Sequence, residues 1–246
     1  MTIVPEGHIE GIFNYCVRRC GLCPFTERCT LYQSEREYER SHPDATWEQH
    51  VHDSFAETFR LLEEWCKREG IDFEEIRRAA ENDNMDEDAK RRDEAVDGDP
   101  LQKMAITYTH AAFNVIDAMA PARALRRWPS GVEAALDTIS WNAGMVSAKV
   151  ARALQGLAER GMFGVEDPVQ NDWNGSAKLA RILVDESKRA WAVVMREGEA
   201  PHDSPLNELI ALLGRVDEGL AERFPDAMRF LRPGFDETAA EPADGK

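Results

Sequence analysis

Apolar residues recur at every third or fourth position over most of the chain, which is the spacing of one buried face of an α-helix. The longest stripe predicts a helix beginning at Ser130, and its members are Val132, Leu136, Ile139, Ala143, Val146, Val150, Leu154 and Leu157. Shorter stripes predict helices beginning near Thr46, Pro100, Ser176 and Pro205. No segment sustains the alternation of apolar and polar residues that a half-buried strand requires. The pattern therefore predicts an all-α protein.

Capping signals place the beginnings of several of these helices. Thr46 is followed three residues later by Gln49, which is the spacing of a capping box. Asp99 stands before Pro100, and proline is favoured in the first turn of a helix. Residues 20–44 show no apolar periodicity, so we expect an irregular segment there.

A charged stretch with few apolar residues, NDNMDEDAKRRDEAVDGD, separates two helical regions and indicates a solvated linker. We predict an up-and-down helical bundle preceded by a small Cys-rich metal-binding subdomain. The expected divisions are a Cys-rich subdomain at residues 1–45, a helical hairpin at 46–82, an acidic linker at 83–98, a four-helix bundle at 99–235 and a disordered tail at 236–246.

Four of the five cysteines lie within fourteen residues, at Cys16, Cys20, Cys23 and Cys29. Their spacing is C-x3-C-x2-C-x5-C. The N-terminus shows no signal peptide, so we expect a cytoplasmic protein, in which thiols stay reduced and clustered cysteines act as metal ligands. Four thiolates suit either a [4Fe-4S] cluster or a tetrahedral Zn²⁺ ion. Ligand type alone leaves both metals open.

The spacing resembles known iron–sulfur loops. Cys16-x3-Cys20-x2-Cys23 has the spacing of the radical-SAM cluster loop, and Cys20-x2-Cys23-Pro24-x4-Cys29 resembles the last three ligands of the [4Fe-4S] loop in endonuclease-III-type DNA glycosylases. The resemblance favours a cluster over zinc but transfers neither function. A radical-SAM enzyme needs a β/α barrel, and a glycosylase needs a helix-hairpin-helix with a basic surface.

Three segments, IFNYC with the cysteines that follow it, NGSAK and RPGFDE, together resemble a group of uncharacterised bacterial helical proteins with an N-terminal four-Cys motif. The resemblance spans most of the chain. It implies an all-α fold and assigns no catalytic residue.

Other reactive side chains have simpler interpretations. Cys66 lies on an apolar helix stripe, which predicts a buried thiol. His42 is the best non-cysteine ligand candidate, whereas His50 and His52 are expected at the surface. Ser176 and Lys178 offer an anion site at a helix start, although capping by Ser176 explains them equally well.

A set of polar residues at helical spacing allows a charged pocket between bundle helices. Its members on three helices include His110, Asp137, Arg152, Arg181 and Asp185. Solvated helix faces are the preferred interpretation of this set.

The formal net charge of −16 argues against nucleic acid as the main partner, because an acidic chain repels phosphate. No apolar run reaches the ~18 residues of a membrane span. We expect a soluble protein whose four-Cys [4Fe-4S] cluster serves electron transfer, redox sensing or structure, with another protein as partner. The alternatives are a zinc-stabilised helical adaptor, and an enzyme or small-molecule binder with a charged pocket.

Overall fold

The computed structural model describes residues 6–81, 87–125, 128–162, 167–197 and 205–236. Regular structure within these ranges is entirely helical, which confirms the predicted all-α class. The α-helices are α1 (Thr30–Ser41), α2 (Trp47–Glu69), α3 (Phe73–Glu81), α4 (Glu87–Gly98), α5 (Pro100–Ala124), α6 (Ser130–Ala158), α7 (Asp172–Glu197) and α8 (Pro205–Arg223). Short 3₁₀ turns occupy Ile12–Tyr15, Cys20–Leu22, Thr26–Arg28 and Ala227–Arg229.

The chain divides into two compact units. The first comprises Met1–Phe13 and Arg19–Arg91, and the second comprises Asn14–Arg18 and Arg92–Lys246. The chain therefore passes from one unit to the other at three places: just before the four-cysteine run, between Cys16 and Cys20, and inside α4, within the stretch expected to be a linker.

The first unit contains α1, α2 and α3. The predicted capping box of α2 is present, because Gln49 N donates to Thr46 Oγ1 and Thr46 N donates to Gln49 Oε1. Gly70 ends α2 in the left-handed conformation that favours glycine, with φ of 72°. Cys66 is fully buried, as its place on the stripe predicts. Four large members of the same stripe, Trp47, Phe55, Phe59 and Trp65, are nevertheless exposed.

Two helices lie where the sequence pattern predicts none. Helix α1 occupies residues 30–41 of the segment expected to be irregular, and none of its residues is buried. Helix α4 occupies residues 87–98 of the expected linker, while 83–86 lie outside the described residues. Both sequences are rich in charged residues of good helix propensity, which favours helix formation. Neither has an apolar stripe from which the helix could be predicted. The compact Cys-rich subdomain is likewise not evident, since 3₁₀ turns make up most of the segment before α1.

Helices α5–α8 form a bundle in which α6 packs against α5 and α7, and α8 packs against α5 and α7. Helices α6 and α7 are antiparallel, since Gly131 lies near Glu197 and Gly156 near Trp173. Their predicted inward residues are confirmed as core, including every member of the α6 stripe through Leu154. Asp99 caps α5 as expected, because its Oδ1 accepts from Leu101 N at 2.8 Å.

The chain after α8 returns to the bundle through Phe224, Ala227 and Phe230, all of which are buried. The tail expected at 236–246 lies outside the described residues beyond Asp236. None of the described helices combines the length and the apolarity needed to cross a membrane.

Candidate metal centre

Cys16 belongs to a short segment, Asn14–Arg18, that is held on the bundle by side chains of α6. The indole Nε1 of Trp141 donates to the carbonyl oxygen of Val17 at 2.6 Å. The ammonium of Lys149 donates to the carbonyl oxygen of Asn14 at 3.2 Å. These bonds fix the backbone on both sides of the first cysteine, and Trp141 and Lys149 lie eight residues apart on one face of α6.

Tyr15 anchors the same segment to α7. Its hydroxyl donates to Asp172 Oδ1 at 3.2 Å, and its ring lies 4.6 Å from the ring of Phe230. Burial raises the pKa of Tyr15 to about 12, and the nearby carboxylate of Asp172 adds to the shift. Gly175 allows this close packing, because a Cβ there would lie 2.7 Å from Tyr15 Cδ1.

Two cations of α6 line this anchor. Arg152 Nε lies 2.7 Å from Asp172 Oδ2, so the carboxylate is shared between Arg152 and the Tyr15 hydroxyl. Burial lowers the pKa of Lys149, and the charge of Cys16 opposes that shift, which places the thiol in the electrostatic field of Lys149. The first cysteine thus faces positive charge although the chain as a whole is acidic.

The backbone turns sharply between the first two cysteines. Arg18 has φ of 54°, the left-handed region that a non-glycine residue adopts at a cost of roughly 1–2 kcal/mol. This strained residue ends the Asn14–Arg18 segment of the second unit, and the chain enters the first unit again at Arg19.

The other three cysteines of the run lie at the ends of turns in the first unit. Cys20 begins a 3₁₀ turn and Cys23 closes it, with Cys23 N donating to Cys20 O at 3.1 Å. Cys29 closes the next 3₁₀ turn and stands at the N-cap position of α1. All four cysteines of the run are partly exposed, whereas Cys66 is buried, and all five are present as thiols.

The segment before the run packs on the second of these turns. Ile9 N donates to Arg28 O at 2.9 Å, and Arg28 Nε donates to Gly7 O at 3.0 Å. Between them, His8 has a buried Nδ1 with no hydrogen-bond partner within the described residues. Imidazole nitrogen is a common metal ligand, so His8, whose chain neighbours Gly7 and Ile9 bond Arg28, is a further donor candidate. The sequence gave no signal for His8, because the bonds of Gly7 and Ile9 to Arg28 join residues far apart in the chain.

No group of three or more His, Cys, Asp or Glu side chains within the described residues is placed to hold a metal ion. The assignment of Cys16, Cys20, Cys23 and Cys29 to one site rests on sequence spacing.

The charged residues expected to share a pocket have separate partners instead. Arg181 Nε lies 2.7 Å from Asp217, Asp185 pairs with the exposed Arg189, and Arg152 pairs with Asp172. His110 and Asp137 are exposed. The set does not converge on one cavity, in agreement with the preferred interpretation of solvated faces.

The helix start predicted at Ser176 is wrong, because α7 begins four residues earlier, at Asp172, so Ser176 neither caps the helix nor forms an anion site at its start. Asn171 provides the cap, since its Oδ1 accepts from Asn174 N at 2.9 Å. Lys178 is buried within the helix and binds Phe230 O at 2.6 Å and Asp236 Oδ2 at 2.7 Å. Both its charge and its donors are already satisfied.

His42 stacks on Tyr38 with ring centroids 4.5 Å apart, at the edge of an open cavity of about 510 Å³. Tyr38 donates to Asp53 at 2.7 Å, which links α1 to α2, and His52 Nδ1 lies 3.2 Å from the same carboxylate. His42 and His50 therefore pack on Tyr38, whereas His52 is exposed at the surface, as expected, beside Asp53.

The three segments singled out in the sequence meet on one end of the bundle. Tyr15 of IFNYC packs on Gly175 of NGSAK, and Lys178 of NGSAK pairs with Asp236 of RPGFDE. Compared with known protein families, with curated proteins and with solved structures, the chain matches none.

Proposed function

We propose that Cys16, Cys20, Cys23 and Cys29 bind a [4Fe-4S] cluster that serves electron transfer, redox sensing or structural support. The observation on which this rests is the concentration of four of five cysteines within fourteen residues, at a spacing typical of cluster loops. Four protein ligands leave no open coordination position, so substrate chemistry at the cluster is not expected.

The environment of the run is consistent with a metal loop. Its thiols are partly exposed and reachable, while Cys66 is sequestered. The cysteines lie at turn ends, where small changes in backbone and side-chain torsion redirect the sulfur atoms. Lys149 near Cys16 supplies positive charge that offsets the thiolates.

A metal held by all four thiols requires them to lie at ligand distance from one centre. Binding free energy can drive such ordering, because a metal that binds only the converged form stabilises that form. The segment holding Cys16 is already fixed by Trp141 and Tyr15. We therefore expect most of the rearrangement between Arg18 and Cys29.

The acidic surface suits docking to a basic face of a partner protein, with charge steering their encounter. A reducing compartment such as the cytoplasm would keep the thiols available. Neither nucleic acid nor a membrane is proposed as a partner.

The test is metal analysis of protein purified without oxygen. The cluster predicts a brown protein with visible absorption, with iron and sulfide near four per chain. Replacing any one of Cys16, Cys20, Cys23 or Cys29 by Ser should bleach the colour, whereas the control Cys66→Ala should retain it. Colour that survives all four Ser variants would refute the assignment.

A structural zinc ion is the second candidate, favoured by the Cys20–Cys23 turn. That turn closes with an N–H to carbonyl bond over a C-x2-C pair, and C-x2-C pairs recur in structural zinc sites. Colourless protein with one zinc per chain, lost in the same four Ser variants, would replace the redox proposal by a zinc-stabilised adaptor.

A further inference from the structure

Helix α2 presents an apolar face to solvent. The exposed fractions are 76% for Trp47, 63% for Phe55, 58% for Phe59, 52% for Leu61 and 41% for Trp65. On a helical projection these side chains lie within one arc of less than half the circumference. Isolated exposed apolar residues are normal, but five large ones on one helix face are not.

The exposed area is large enough to form an interface. With ~150–250 Å² for each complete aromatic side chain, the four aromatic residues and Leu61 together expose about 600 Å². Continuous apolar patches of this size mark interaction sites on soluble proteins. Pairing two such faces would bury about 1,200 Å², the lower end of a stable protein–protein interface.

The order of residues on this face is nearly palindromic. Reading outward from residues 56 and 57, Phe55 and Phe59 lie close to the centre, and Trp47 and Trp65 lie near the two ends. A two-fold symmetric interface uses the same surface on both subunits. Such a surface must therefore be complementary to a copy of itself rotated by 180°.

Antiparallel pairing of two α2 helices satisfies this requirement. With residues 56 and 57 at the two-fold axis, Val51 faces the region of Leu62 on the other copy. Phe59 faces Ser54 and Phe55 faces Thr58, so each of the two phenylalanines lies against a small side chain. Large-to-small alternation is the arrangement that lets facing helix surfaces interdigitate.

Charge favours the antiparallel orientation over the parallel one. Between Trp47 and Thr58, helix α2 carries Glu48, Asp53 and Glu57 and no Lys or Arg. In the other half, the three basic residues Arg60, Lys67 and Arg68 are balanced by the three acidic residues Glu63, Glu64 and Glu69. Parallel pairing would set two acidic halves side by side, whereas antiparallel pairing sets each acidic half beside a neutral one. We propose that the apolar face of α2 binds a second copy of this chain, as an antiparallel two-fold dimer.

The test is the mass of the full chain in solution, measured by light scattering or sedimentation over a range of concentrations. Wild-type protein should have twice the chain mass of 27.8 kDa. The double variant Phe55→Ser/Phe59→Ser should have the mass of one chain. The matched control Phe113→Ser, which replaces an exposed Phe of α5, should remain a dimer.

A second variant guards against loss of folding. Thr58→Arg keeps every apolar side chain and places like charges close to the two-fold axis, so it should also give single chains with unchanged helicity. Wild-type protein that remains at one chain mass up to about 100 µM would overturn the proposal, whether α2 is then covered by another protein or by none. A dimer that survives both Phe55→Ser/Phe59→Ser and Thr58→Arg would overturn it as well. Neither outcome depends on whether the cysteines bind metal.

Discussion

The ring of Tyr15 packs directly against the backbone of Gly175. A Cβ on residue 175 would lie 2.7 Å from Tyr15 Cδ1 and 2.8 Å from Phe230 Cζ. Real side chains do not approach this closely, so the glycine is required by the space that Tyr15 fills. The contact ties the residue that precedes the first cysteine to the start of α7.

Replacing Gly175 by Ala should therefore destabilise the protein. Overpacking of a filled site costs roughly 1–3 kcal/mol, and here two aromatic rings would have to move. Gly144→Ala is the matched control, because a Cβ added at this position of α6 would meet no neighbouring atom and should stabilise the helix slightly. The measurement is the free energy of unfolding of both variants in denaturant, and equal effects would contradict the packing argument.

Tyr15 should make stability depend on pH in the alkaline range. Its pKa is about 12 in the folded state and near 10 in the unfolded chain, so the unfolded state loses its proton first. The stabilisation is complete below pH 10 and is lost as pH rises from 10 to 12. Tyr15→Phe should show a smaller loss of unfolding free energy over that range than wild type, and parallel curves would rule out the raised pKa.

Asp236 should make stability depend on pH in the acidic range, where stability is lost as pH falls. Burial alone would raise its pKa, but hydrogen bonds from Arg232 and Lys178 outweigh burial and hold the pKa below 3.8. The carboxylate therefore stabilises the fold above pH ~4, and the contribution is lost as pH falls further. Asp236→Asn should show a shallower decline in unfolding free energy between pH 5 and 2. A decline as steep as in wild type would exclude this ion pair as the source.

The bundle was predictable because burial and periodicity coincide there. Residues such as Val132, Ile139 and Val146 are apolar, helically spaced and fully buried, so the sequence pattern and the packing agree. Helices α1 and α4 escaped prediction because they bury little, which leaves no apolar period to detect. For α2 the error was the opposite one: the apolar stripe suggests a buried face, but most of its large side chains are exposed. A sequence pattern shows that a helix face is apolar but not whether another element covers it.

The candidate site was predictable only in its ligands. Four clustered cysteines are visible in the sequence, but Trp141, Lys149 and Asp172 reach the run across more than a hundred residues. Such contacts depend on how α6 and α7 pack, which spacing along the chain does not encode. Lys178 shows the same limit, since its polar character suggested ligand binding and its real partners are carbonyl and carboxylate groups of the chain end.

Lys178 should accordingly matter for stability. Lys178→Met would leave the buried carbonyl oxygen of Phe230 and the carboxylate of Asp236 without this donor, at a cost of roughly 1–3 kcal/mol. Arg189→Met, which breaks the exposed pair with Asp185, should leave stability nearly unchanged. Thermal unfolding of the two variants compares them directly, and similar midpoints would show that Lys178 is not satisfied internally.

Metal loading should protect the four-cysteine run from trypsin. Cleavage after Arg19 and Arg28 requires the chain to open locally, and ligation of Cys20, Cys23 and Cys29 opposes that opening. Limited digestion followed by mass spectrometry should show slower cleavage at both bonds in metal-loaded protein than in chelator-treated protein. Cleavage after Arg91 in α4 serves as the internal control and should proceed at the same rate in both. Protection that persists in Cys20→Ser, or equal rates in loaded and stripped protein, would show that the metal is not held by this run.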